Sequence, residues 1–149
     1  KQIAFNCIPQ IDSFMEDGST KEEWKIISEI KKILFQDIEV SVTCVRVPVF
    51  VGHAVSVNVE FFEQISDEDA MEILLDSPGV LLLDRRKDGG YMTQAEVACD
   101  DSVYVSRVRQ DLTVPFGLNM WIVADNLRKG AALNAVQIAE ILASDYLGE

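Results

Sequence analysis

The chain has 149 residues, 48% of them hydrophobic, and its 25 acidic against 13 basic side chains give a net charge of −12. A chain of this length buries roughly two thirds of its unfolded surface, so we expect a single domain over residues 1–149. The negative charge disfavours binding to nucleic acid or to an anionic membrane surface. One histidine and three widely spaced cysteines indicate no metal site and favour reduced thiols in a cytoplasmic protein.

The first half of the chain predicts two helices and two strands. Apolar residues recur at helical spacing over residues 20–35, behind Ser19 and Thr20 as candidate caps. Residues 39–47 and 53–62 alternate and are rich in β-branched side chains, which predicts two strands joined as antiparallel neighbours through residues 48–52. A second helix is predicted over residues 66–77, ending at Pro78 and Gly79.

The second half predicts three strands, over residues 80–83, 102–108 and 118–124, with a long loop over residues 84–97. A closing helix is predicted over residues 126–147, capped by Asp125 or Asn126. This order indicates an α+β fold, a mostly antiparallel mixed sheet with helices packed on one face. It does not indicate a doubly wound nucleotide-binding fold, because the sequence has no glycine-rich phosphate loop.

Residues 44–54, CVRVPVFVGHA, contain the only histidine of the chain. His53 could simply begin a strand after a bend at Gly52, and function has to be argued from a site and not from one residue type. If the two flanking strands pair, however, Arg46 and His53 border the same turn and can face one cleft. A guanidinium beside an imidazole is suited to binding an anion and moving a proton.

A second candidate cluster is STKEEWK, residues 19–25. Either Ser19 with Glu22 or Thr20 with Glu23 can form a capping box. If Thr20 is the cap, Glu22 is free and lies one turn before Lys25 on the same helix face. The two side chains then form either a surface ion pair or a binding surface that carries both signs of charge.

Four segments, taken in order, carry a family resemblance: FNCIPQID (residues 5–12), TKEEWK (20–25), TCVRVPVFVGHA (43–54) and DNLRKGAALNAVQIAE (125–140). They resemble the substrate-binding and dimerisation domain of bacterial aspartate-semialdehyde dehydrogenases, a fold like the C-terminal domain of glyceraldehyde-3-phosphate dehydrogenase. The family's Rossmann domain, which binds NADP and carries the nucleophilic cysteine, has no counterpart here. We therefore expect this chain alone to be inactive.

The resemblance implies a reversible reduction of aspartyl phosphate to aspartate semialdehyde, with release of phosphate, on the route to lysine, methionine and threonine. His53 would be the acid–base catalyst, and Arg46 would bind the α-carboxylate of the substrate. Glu22 would bind its ammonium group, and Lys25 would help to hold phosphate. Asn126 would lie near the nicotinamide, although an N-cap role competes with this. The resemblance also implies homodimers or tetramers.

Two other functions stay open on the sequence alone. The chain could be a non-catalytic dimerisation module, or part of the related N-acetyl-glutamyl-phosphate reductases, whose substrate has a blocked amino group. The second gives Glu22 nothing to bind, so the EExK element favours the aspartyl enzyme. One departure from the family is Ala54, where serine is common after the Gly-His pair.

Overall fold

The computed structural model describes residues 1–148 and contains three α-helices and four strands in that range. In chain order these are α1 (Lys21–Leu34), β1 (His53–Glu60), α2 (Asp67–Leu75), β2 (Val80–Leu82), β3 (Val103–Asp111), β4 (Gly117–Ala124) and α3 (Leu133–Leu142). The π-helical turns Arg128–Ala132 and Ala143–Leu147 flank α3. The chain divides into two compact units, Lys1–Pro48 and a second that begins at Val49.

Helix α1 of the first unit begins with one of the two predicted capping boxes, that of Thr20 and Glu23. The Thr20 hydroxyl accepts a bond from the Glu23 backbone N–H (3.4 Å), and the Glu23 carboxylate accepts one from the Thr20 N–H (2.6 Å). The second oxygen of the same carboxylate accepts a bond from the backbone N–H of Cys44 (2.8 Å). Glu23 therefore ties the start of α1 to the segment around Cys44, and both residues are buried.

The strand predicted over residues 39–47 is wrong. The side chains of Val40, Val42 and Cys44 are less exposed than those between them, as the alternation in the sequence suggested, but the segment forms no ladder. Its only strand-like pairing among the described residues is an isolated bridge between Arg46 and Ile8, with N···O distances of 2.9 and 3.0 Å. Alternation reports that one face of an extended segment is covered, and it does not require a neighbouring strand.

The second unit is a mixed four-stranded sheet in the order β1-β4-β3-β2. The β1–β4 and β4–β3 pairs are antiparallel and the β3–β2 pair is parallel, which confirms the predicted α+β fold. β1 pairs with β4, so the predicted hairpin across residues 48–52 is also wrong. The core combines one residue of α2 with residues of β3 and β4: Ala70, Val105, Val108 and Leu118.

Strand β3 continues to Asp111, three residues beyond the predicted end at Val108. A register shift between Ser106 and Arg109 inserts one extra residue opposite β4, so the alternation that marks a strand is interrupted there. Helical structure at the end of the chain begins at Arg128, two residues later than predicted. Within residues 1–148, no helix has the length and apolarity that crossing a membrane requires.

Mutation of Glu23 tests whether its hydrogen bond from the Cys44 N–H stabilises the first unit. This bond and the Thr20 N–H bond lower the pKa of Glu23 below its ordinary value of 4.5. A depressed carboxyl pKa stabilises the fold above the unfolded-state pKa, and this stabilisation is lost as the pH falls through the lower, folded-state value. Glu23→Gln should therefore lower the unfolding midpoint at pH 7 and weaken the loss of stability between about pH 5 and pH 3.

The matched control is Glu29→Gln, which neutralises an exposed glutamate of the same helix. Thermal unfolding of both variants across that pH range checks the prediction. Equal midpoints for the two variants at pH 7 would show that the Glu23 carboxylate does not tie α1 to Cys44.

Candidate functional site

Glu22 and Lys25 lie one turn apart on α1, as the Thr20 cap requires. The Lys25 ammonium is 3.4 Å from a carboxylate oxygen of Glu22, and the two side chains are 52% and 30% exposed. At this distance and exposure the pair adds little to stability. Both groups stay accessible to solvent, so the pair presents an ammonium and a carboxylate side by side.

Arg46 is fixed through its backbone and not through its side chain. Its N–H and C=O groups form the bridge to Ile8, and the residue is exposed. The guanidinium forms no salt bridge within residues 1–148. Because the hairpin is absent, the sequence argument that placed Arg46 and His53 at the two sides of one turn does not hold.

His53 is the first residue of β1 and lies opposite Ala124, the last residue of β4. The residue is exposed. Ala124 also lies opposite Val103 on the other side, so His53 sits at one end of a three-strand pairing. The ladder therefore fixes the backbone of His53 beside the Asp125–Asn126 segment that follows β4.

Gly52, immediately before His53, is in close contact with the loop that carries Gln94. The Gln94 side-chain amide donates to the Gly52 carbonyl (3.3 Å), and Gly52 has a φ of +97°. A Cβ atom at position 52 would lie 2.8 Å from the Gln94 carbonyl oxygen, closer than real Cβ contacts. Position 52 therefore requires glycine for two reasons: its φ is positive, and a Cβ atom would overlap the Gln94 backbone.

The loop with Gln94 is itself anchored to the sheet at both ends. The Trp121 indole N–H donates to the Met92 carbonyl (3.0 Å), and the Cys99 N–H donates to the Asp125 carboxylate (2.8 Å). Asp125 is 2% exposed, and the bond from Cys99 is the largest cause of its lowered pKa. The loop that contacts Gly52, next to His53, is therefore held in place by β4 and by Asp125, the residue that follows β4.

Asn126 follows this buried carboxylate. The other oxygen of Asp125 accepts a bond from the Leu127 N–H (2.8 Å), but the N-cap of the final helical segment is Leu127, which has no side-chain cap bond, so the predicted cap at Asp125 or Asn126 is wrong. Asn126 is exposed, and its carboxamide has no hydrogen-bond partner among the described residues. The competing N-cap role for Asn126 is not observed.

Sequence reasoning missed Gln94 and did not recognise Asp125 and Trp121 as anchors of this loop. Nothing in a single sequence marks Gln94, because residues 84–97 have no periodicity and the partner of Gln94 is 42 positions away. The clue available in the sequence was Gly52 directly before the only histidine, since a glycine inside a β-branched stretch can mark close backbone approach.

Comparison with known proteins gives the family of the chain. Residues 1–129 match the family model described as "Semialdehyde dehydrogenase, dimerisation domain". The aspartate-semialdehyde dehydrogenase of Rickettsia bellii is 52% identical over 147 residues, which are 99% of this chain and 44% of that protein. The chain thus spans less than half the length of this relative.

Solved structures agree with the sequence comparison. The aspartate semialdehyde dehydrogenase II of Vibrio cholerae complexed with ASA superposes with a TM-score of 0.93 at 51% identity, covering 98% of this chain and 43% of that one. The Candida albicans enzyme with NADP gives a TM-score of 0.74 at 25% identity, covering 94% of this chain and 45% of that one. By sequence and by fold, the chain belongs to the semialdehyde dehydrogenase family and corresponds to its dimerisation domain.

Proposed function

We propose that this chain is the substrate-binding and dimerisation part of a cytoplasmic, NADP-dependent aspartate-semialdehyde dehydrogenase. The complete protein would catalyse the reversible reduction of aspartyl phosphate to aspartate semialdehyde with release of phosphate. The observation that carries the proposal is the placement of His53: the β1–β4 register and the contact between Gly52 and Gln94 fix its backbone at the end of the sheet. The side chain of His53 is exposed there and so is accessible to a substrate.

His53 is the proton-transfer group in this proposal. An imidazole can accept a proton from a thiol that adds to the aldehyde and return it in the reverse direction. The thiol belongs to the part of the relatives that this chain does not cover. Ala54 in place of serine leaves this chemistry intact, because the imidazole itself carries the proton.

Arg46, Glu22 and Lys25 bind the substrates. The unpaired, exposed guanidinium of Arg46 is available to bind the α-carboxylate through two parallel hydrogen bonds. Glu22 receives the α-ammonium group, and Lys25 contributes a point charge for phosphate. Their mutual distance of 3.4 Å is that of a weak surface pair, which an incoming ammonium and phosphate can separate at little cost.

Asn126 is the residue of this chain that faces the cofactor in the proposal. Its carboxamide has both a donor and an acceptor without partners in residues 1–148, which fits the carboxamide of a nicotinamide. The reduced cofactor, NADPH, would supply the hydride when it is bound. The role of Asn126 is to orient the ring, and the buried Asp125 holds the backbone of Asn126 in place.

Self-association is the remaining part of the proposal. Large apolar side chains are exposed in both units, among them Phe5 (100%) and Phe35 (93%) in the first and Phe62 (99%) and Leu112 (94%) in the second. Exposed apolar side chains in this number favour contact with another chain or domain. We infer a homodimer as the working form.

Removal of the imidazole tests the catalytic role. In the complete protein, His53→Ala should lower kcat about 100-fold or more with little change in KM, because general acid–base catalysis contributes about that factor in the transition state. Steady-state kinetics and thermal unfolding are measured on the same variant. A large loss of stability with nearly normal turnover would make His53 structural and would leave the non-catalytic module as the function.

Replacement of the guanidinium by an ammonium tests the carboxylate contact. Arg46→Lys keeps the charge but loses the two-bond geometry, so the specificity constant for aspartate semialdehyde should fall about 30- to 150-fold, or about 2 to 3 kcal/mol. The KM for phosphate should change less, since phosphate is assigned to Lys25. Kinetics close to wild type would remove Arg46 from the substrate site.

The contact between Gly52 and Gln94 tests whether His53 needs a fixed backbone. Gly52→Ala introduces a Cβ atom 2.8 Å from the Gln94 carbonyl oxygen, so the loop or the His53 backbone has to shift. We expect kcat to fall at least about tenfold, because small displacements of a catalytic group cost large factors in rate.

Gly18→Ala is the matched control, since Gly18 has a similar φ of +86° but nothing within 4 Å of the added Cβ. It should share the backbone strain of about 1 to 2 kcal/mol and keep its turnover. Equal kcat values for the two variants would show that the contact with Gln94 does not position His53.

A further inference from the structure

A groove of about 620 Å³ in the second unit collects basic side chains that no catalytic role requires. It is lined by residues 84–89, Tyr91 and residues 107–109. Five of the 13 basic residues of the chain lie here: Arg85, Arg86, Lys87, Arg107 and Arg109. The chain has a net charge of −12, whereas the lining of this groove is positively charged.

Few of these charges are neutralised by the protein itself. Arg86 pairs with Asp67 (2.5 Å), and the Asp84 carboxylate accepts the backbone N–H of Val108 (2.7 Å). Arg85, Lys87, Arg107 and Arg109 form no salt bridge within residues 1–148, and Asp88 is the one other acid of the lining. The groove lining therefore has a net positive charge, with five cationic side chains against the carboxylates of Asp84 and Asp88.

On one side of the groove the backbone has a left-handed residue, and on the other side it makes a close approach that requires glycine. Arg107 sits at the bulge of β3 with a φ of 59°, a left-handed conformation that is uncommon for a residue other than glycine. The Asp84 bond to Val108 joins this bulge to the loop that carries Arg85 and Lys87. That loop is closed by the Arg85 N–H on the Gly90 carbonyl (2.9 Å), where a Cβ on Gly90 would lie 1.9 Å from the Arg85 oxygen.

A smaller cavity of about 260 Å³ continues the groove, because both are lined by Tyr91, Arg107 and Arg109. The smaller cavity adds Trp121 and Met120 from β4. The two arginines thus lie between a charged space and a partly apolar one. This arrangement suits a small molecule with clustered negative charges on one side and a less polar body on the other.

We propose that the groove is a binding site for a small molecule that carries two or more phosphate or carboxylate groups. Guanidinium groups bind both kinds of anion through paired N–H donors, and an ammonium such as that of Lys87 adds charge. The net positive charge of the lining attracts an anion of this kind, because the carboxylates of Asp84 and Asp88 offset only part of it. The proposal stands independently of the roles assigned to His53 and Arg46.

The test needs a signal from the groove itself, since a phosphate site is also proposed at Lys25. Met120 lines the smaller cavity that shares Arg107 and Arg109 with the groove, so its methyl carbon, in full-length protein labelled at the methionine methyl groups, reports binding beside these two arginines. Pyrophosphate and citrate are titrated separately at constant ionic strength, with sodium chloride as the reference salt. We expect a saturable shift of the Met120 methyl resonance with at least one of the two anions, and the tighter one identifies phosphate or carboxylate as the preferred group.

Variants make the result specific. Arg107→Asn with Arg109→Gln removes two of the cations, and asparagine tolerates the left-handed backbone at position 107. This pair should weaken the binding that Met120 reports at least about tenfold, the scale of one lost charge-assisted contact. Arg85→Gln with Lys87→Gln removes the same charge from the loop side and should act in the same direction.

Lys21→Gln with Lys32→Gln is the control, because it removes two exposed charges on α1 that do not line the groove. It should bind as the wild type does. Three results would overturn the proposal: no saturable shift with either anion, an equal shift with chloride, or equal affinities for the control and both groove variants.

Discussion

The antiparallel pairing of β1 with β4 is the constraint on which the second unit depends. It runs from His53 opposite Ala124 to Glu60 opposite Gly117 without interruption. Because side chains alternate along a strand, a slip of one residue would turn every side chain of β1 to the other face of the sheet. The same pairing sets His53 beside the chain that leaves β4, so the position of the imidazole follows from the register and not from the histidine itself.

Strand β4 extends this constraint to the rest of the site. It lies between β1 and β3. Trp121 of β4, and Asp125 just after its end, hold the loop whose Gln94 contacts Gly52. Strand β4 also supplies Leu118 to the core. Packing and the catalytic role proposed for His53 are thus coupled through one strand, since a change that disturbs β4 moves both the support of His53 and the segment with Asn126.

The parts of this structure that could be predicted are those with a local signal. Short patterns in the sequence predict the cap at Thr20 and Glu23, the start of β1 at His53 and the Ser66 cap of α2; α2 ends at Leu75, two residues before the predicted end. The strand over residues 39–47 failed because alternation indicates a covered face and not a partner. The groove and the support by Gln94 were invisible for another reason: residues 84–89 meet residues 107–109, and Gln94 meets Gly52, only after the fold has formed.

The most direct test of the account is the distance between His53 and the reacting group in a crystal structure of the full-length protein with NADP and a non-reactive analogue of aspartate semialdehyde. The account predicts that one imidazole nitrogen lies about 2.6 to 3.2 Å from the oxygen of the carbonyl group of the analogue. It is contradicted if that oxygen lies beyond the reach of His53 and of any single bridging water, with another proton-transfer group in its place.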